Sequence, residues 1–156
     1  MNFSKRFRQA AFTLAEVMVS LGLFGITASA AVGAMLKMNN NAALSRLQTG
    51  ASTVAQNQID LALSDAPFNP QKSQVPPALT LGTTNVGSAS SPSVAVYTDP
   101  RTNLNTLGWM TTVVADTGVA YHGNSLNIYQ ITVTVSYKFK GRMYMVSMSS
   151  MRCSDI

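Results

Sequence analysis

Residues Ala10–Leu36 read AAFTLAEVMVSLGLFGITASAAVGAML, and how this stretch is read decides the fold. Phe12–Leu36 is roughly 25 residues of almost unbroken apolar character, long enough to cross a bilayer as a helix. Its one charge is Glu16, near its start. Ahead of it, Met1–Ala11 is short, carries Lys5, Arg6 and Arg8, and contains no acid. Basic residues before an apolar span hold that end in the cytoplasm, so the remainder of the chain is expected to be exported.

Three readings fit that layout. A secretory signal peptide would have its apolar core at about Val17–Ile26 and a small-x-small cleavage site at Ala28-Ser29-Ala30. An ordinary membrane anchor would simply stay in the bilayer. Neither has a use for Glu16. An acid in a spanning helix costs roughly 2.5–3.5 kcal/mol on insertion scales, less near the interface, and is a functional hypothesis by default.

The string Phe12-Thr13-Leu14-Ala15-Glu16-Val17-Met18-Val19 resembles the N-terminal signature of type IV pilins and type II secretion pseudopilins. The resemblance covers roughly the first 30 residues and includes the basic leader and the apolar helix that follows. It implies that a prepilin peptidase cuts between Ala11 and Phe12 and methylates the new amine of Phe12. The residue before the cut is usually Gly in that family; here it is Ala11, the next-smallest side chain. The implied assembly residue is Glu16, whose carboxylate meets the Phe12 ammonium of a neighbouring subunit. Such a pair offsets two desolvation costs and fixes axial register more than it adds stability. The implied partners are other pilin or pseudopilin subunits through the N-terminal helix, the prepilin peptidase, an inner-membrane assembly platform, and the membrane before assembly. The implied location is the bacterial inner membrane, single-pass with the C-terminus exported, and then a periplasmic or surface filament.

Composition agrees with an exported chain. Of 156 residues 46% are hydrophobic and only 11% charged, which is too apolar for disorder. The formal charge of +5 overstates the basic character. Without the leader's Lys5, Arg6 and Arg8, eight basic residues face six acids, so a nucleic-acid partner is not expected. Cys153 is the only cysteine, which excludes an intramolecular disulfide. Many major type IV pilins close a C-terminal loop with one, so the resemblance points here to a minor subunit.

Apolar character continues past Leu36. Leu44, Leu47, Ala51, Val54 and Leu61 fall at spacings of 3, 4, 3 and 7, with Gln58 in the skipped position and Ala43, Ala55, Ile59 and Ala62 widening the stripe. No proline occurs before Pro67. One helix from about Phe12 to Ser64 is therefore expected, roughly 80 Å long at 1.5 Å per residue. Gly22, Gly25 and Gly33 inside the apolar half suit close helix packing or, as the resemblance implies, loss of helical order on assembly.

All six prolines lie between Pro67 and Pro100, and PFNPQKSQVPPALTLGTTNVGSASSPS predicts an irregular surface stretch. Strands are expected at Trp109–Ala115 and Val119–Tyr121, separated by a turn at Asp116-Thr117-Gly118. In Ile128–Phe139, Tyr129, Ile131, Val133, Val135, Tyr137 and Phe139 alternate with polar residues, giving a strand with one buried face. Lys140-Gly141 turns the chain and Arg142–Met151 returns, with Met143, Met145, Met148 and Met151 expected as core or sheet-face residues.

The chain thus divides into a leader (1–11), an apolar assembly segment (12–36), an amphipathic helical segment (37–65), a variable loop region (66–108) and an antiparallel sheet (109–156). The expected fold is α+β and pilin-like, a long N-terminal helix on a C-terminal antiparallel sheet. No catalytic constellation is visible. His122 stands alone in a turn-like setting, the acids are scattered, and no phosphate loop occurs. No cofactor or metal is expected, and the chain reads as a filament subunit and not an enzyme. The alternative is a secreted or periplasmic binding module cut after Ala30.

Overall fold

A computed structural model describes residues 13–64, 68–70, 79–120 and 127–155. Helix α1 runs Leu14–Ser64, 51 residues without a break. Five strands follow: β1 (Gly82–Val86), β2 (Val94–Thr98), β3 (Asn105–Ala120), β4 (Asn127–Phe139) and β5 (Arg142–Cys153). All pairings are antiparallel. β3, β4 and β5 are consecutive neighbours, and the other edge of β3 is shared by β2 opposite Asn105–Gly108 and β1 opposite Met110–Val114. This is the α+β, pilin-like layout, with the chain dividing into two compact units at Ala42/Ala43.

The first unit contributes the apolar part of α1. It is long and apolar enough to cross a membrane by length and composition, and Leu14, Met18, Phe24, Ile26 and Met35 are all exposed.

In the second unit α1 buries Leu47, Ala51, Ala55, Ile59 and Ala62 against the sheet, at spacings of 4, 4, 4 and 3. Three of these five are alanines, so backbone and sheet come close. Leu44 and Val54 are partly buried, as the stripe predicts, but Leu61 is 45% exposed. At 100° per residue Leu61 lies about 100° from the centre of the buried arc, so the expected spacing had drifted off the helix face. The sheet contributes Tyr129, Ile131, Val133, Val135 and Tyr137 from β4, each at most 1% exposed. Each fully buried aliphatic of this kind contributes about 1.5–3 kcal/mol.

A tight approach is at Val96. It is the extra residue of a β-bulge, because Ala95 pairs Leu107 while Tyr97 pairs Thr106. A Cβ at Gly50 of α1 would collide with the Val96 carbonyl oxygen, and one at Gly108 of β3 would collide with the Ser136 carbonyl oxygen and lie 2.9 Å from Val96 Cγ2. Glycine is required at both positions for helix and bulge to meet.

Two expectations are corrected. The stretch read as irregular contains β1, whose Gly-Thr-Thr-Asn-Val sequence has no apolar alternation and is held by its ladder to β3, and β2 follows directly after it. The sheet therefore begins well before residue 109. Asp116-Thr117-Gly118 does not separate two strands but forms a bulge within β3. The local turn chemistry is present: Gly118 N donates to Asp116 Oδ1 at 2.9 Å and Gly118 has φ +69°. Thr117 Oγ1 donates to the Ile128 carbonyl at 2.7 Å, which keeps the strand against β4. Tyr121 lies outside the described residues. The β4–β5 turn at Lys140-Gly141 is as expected, with φ +49° and +79°, the two-residue type that suits strand twist.

The C-terminus fastens the end of α1. Arg152 donates to the Ala62 carbonyl and to Asp155 Oδ2, each at 2.7 Å, and its guanidinium lies 4.7 Å from the Phe68 ring centroid. Phe68 N donates to Asp155 Oδ2 at 2.8 Å, and Asp155 N returns a bond to the Phe68 carbonyl at 3.0 Å.

Candidate functional site

The candidate site is the start of α1. Thr13 is its N-cap. The Glu16 N–H reaches Thr13 Oγ1 at 3.3 Å, and the Thr13 N–H reaches Glu16 Oε2 at 3.4 Å. This reciprocal arrangement is a capping box, which satisfies two backbone donors that a helix start leaves unpaired. It also places a carboxylate in the first turn, where the helix dipole favours negative charge. The T-x-x-E spacing was legible in the sequence, and Thr13 is the residue the sequence reading passed over. Ala11 and Phe12, the expected processing residues, lie outside the described residues, so Glu16 is the one expected site residue that the structure places.

Beyond Glu16, hydroxyls bond back along the helix: Ser20 Oγ to the Glu16 carbonyl at 2.7 Å, Thr27 Oγ1 to the Leu23 and Phe24 carbonyls, and Ser29 Oγ to the Ile26 carbonyl. Polar side chains in the apolar run thereby spend their donors on the backbone. A Cβ at Gly22, Gly25 or Gly33 would meet nothing within 4 Å, so packing within the chain makes no demand for glycine there.

The remaining candidates are spread over the second unit. Cys153 is half-buried with a free thiol. His122 lies outside the described residues. Met148 packs against the core, whereas Met143, Met145 and Met151 are exposed on the opposite face of β5, the edge strand. Among the described residues no group of three or more His, Cys, Asp or Glu could hold a metal ion. A cavity of about 270 Å³ lies between α1 and the β2–β3 loop, lined by Arg46, Leu47, Tyr97, Asp99, Leu104 and Phe139 among others. Asp99 is committed to its own loop. The Arg101 N–H, at 2.9 Å, and the Thr102 hydroxyl hold its carboxyl below the usual carboxylate range.

A family model described as the prokaryotic N-terminal methylation motif matches residues 6–32. The chain therefore carries the type IV pilin and pseudopilin signature, in register with Glu16 and the start of α1. Motif and apolar helix together support a pilin-like or pseudopilin chain that is a prepilin peptidase substrate, and they fit membrane anchoring before assembly. No curated protein and no solved structure matches the chain.

Proposed function

We propose that this chain is a minor structural subunit of a type IV pilus or type II secretion-like filament. The carrying observation is the methylation motif at residues 6–32, with Glu16 as the only charge of the apolar segment 12–36. Prepilin peptidase cuts between Ala11 and Phe12, and Phe12 becomes the N-methylated first residue. The processed subunit waits in the inner membrane with its sheet domain exported. Assembly moves the apolar half of α1 from lipid into a bundle of like helices. There Glu16 pairs with the Phe12 ammonium of a neighbour and sets the axial register. The chain is a substrate of processing and a building unit, and it performs no catalysis of its own.

The capping box supports this reading, because it gives the carboxylate a backbone donor, the Thr13 N–H, while the subunit is still alone in the bilayer. The lone Cys153 favours a minor over a major subunit. The test is Glu16→Ala. Processing and membrane insertion are expected to continue, while recovery in sheared filaments falls at least about tenfold, the loss of one register-setting pair. Normal filament yield from Glu16→Ala would remove the register role.

A further inference from the structure

Charge in the second unit is sorted by end. The cavity beside Arg46 brings together the start of that unit's helix, the β2–β3 loop and the end of β4 at Phe139. Arg46 lines it, and further exposed cations lie at this end of the unit: Arg101 on the loop, and Lys138, Lys140 and Arg142 at the tip of the β4–β5 hairpin. The one described acid at this end is Asp99, whose carboxyl is taken by the Arg101 N–H and Thr102. The opposite end, where Arg152 meets the last turn of α1, carries Asp60, Asp116 and Asp155, and its one described cation, Arg152, is paired with Asp155. A merely solvated surface has no reason to sort its charges in this way. At the basic end Leu104 is 70% exposed, an apolar tip among cations.

Along the chain this end adjoins the apolar run: Arg46 is the tenth residue after Leu36. Only Lys37–Ala42 separate the apolar run, which closes at Leu36, from Ala43, where the second unit begins. Six residues reach at most about 22 Å even fully extended. We propose that the basic end, centred on Arg46, Arg101 and the Lys138–Arg142 hairpin, is a docking surface for the phosphate-bearing headgroups of an anionic bilayer. Clustered cations beside a span are attracted to such a surface, and an exposed leucine among them enters the headgroup layer. Nucleic acid would use the same cations but has no use for Leu104 and no tie to the membrane. The inference rests on the membrane stage of the proposed function. It adds that the exported domain is held down on the lipid before assembly and must be peeled off to enter a filament.

The full chain, reconstituted in vesicles, tests this by deuterium exchange. With about 30% phosphatidylglycerol in phosphatidylcholine, exchange in residues 99–107 and 138–142 is expected to slow at least about threefold relative to pure phosphatidylcholine, and to recover at high salt. Residues 112–118, near the acidic end, serve as the internal reference and should not change. The exposed triple variant Lys138→Gln/Lys140→Gln/Arg142→Gln should lose the protection while keeping the exchange pattern of β3 and β4. Equal exchange in both lipids, with the chain still resisting alkaline extraction, would overturn this inference alone. Release of the chain by alkali would overturn the membrane reading and this inference with it. Protection by a DNA duplex without protection by anionic vesicles would assign the surface to nucleic acid instead.

Discussion

The two halves of α1 share one backbone conformation and differ in what surrounds them. From Leu14 to Leu36 the large apolar side chains are exposed and the glycines face open space. From Leu47 to Ala62 nearly every fourth residue is sealed against the sheet, and one glycine is too tightly placed to tolerate a methyl group. The second half is stabilised by its own chain. The first has to be stabilised by lipid or by other helices, because apolar surface on this scale does not remain in water. A continuous helix therefore joins a finished fold to an unfinished one, and that unfinished half is where the methylation motif lies.

The comparison is broken most severely by moving bulk into the two halves. Gly50→Val pushes a side chain into the Val96 carbonyl and is expected to destabilise the second unit by about 3 kcal/mol, the upper end of what overpacking typically costs, because the obstacle is backbone. Gly25→Val, with open space around it, should leave the unfolding midpoint of the same unit unchanged. Thermal unfolding of both variants in detergent, followed by Trp109 fluorescence, reads the contrast directly. A smaller effect is expected at the fastening of the helix end. Arg152→Met removes the bonds to Ala62 and Asp155 and should cost about 1.5–3 kcal/mol, measured by chemical denaturation. The smallest is at the start of the helix, where Thr13→Ala should cost about 1 kcal/mol, seen only as faster exchange in the first turn and partly restored by Thr13→Ser.

What could be read from the sequence follows the range of the interactions that decide it. The alternation in β4 is local, and every residue from Tyr129 to Tyr137 on its apolar face is buried as expected. The T-x-x-E cap is equally local. β1 was not legible, because Gly-Thr-Thr-Asn-Val becomes a strand only through its pairing with Met110–Val114. The turn chemistry of Asp116-Thr117-Gly118 is the same in a hairpin and in a bulge, and the Thr117 bond to Ile128, eleven residues on, chooses the bulge. The Gly50–Val96–Gly108 contact and the Arg152 fastening join residues far apart in the chain, and no sequence period records them. For the candidate site, the motif exposed Glu16, while the pairing proposed for it with a neighbour's amine would form only in an assembly of several chains.

The central claim is that the exposed half of α1 is kept in the mature protein for assembly. The most direct test is the intact mass and N-terminal residue of the protein recovered from its native cells. The account predicts a chain that begins at N-methylated Phe12 and retains the whole of α1. A chain beginning at Ala31 would contradict it, because the capping box, Glu16 and most of the apolar half would then be discarded with a signal peptide.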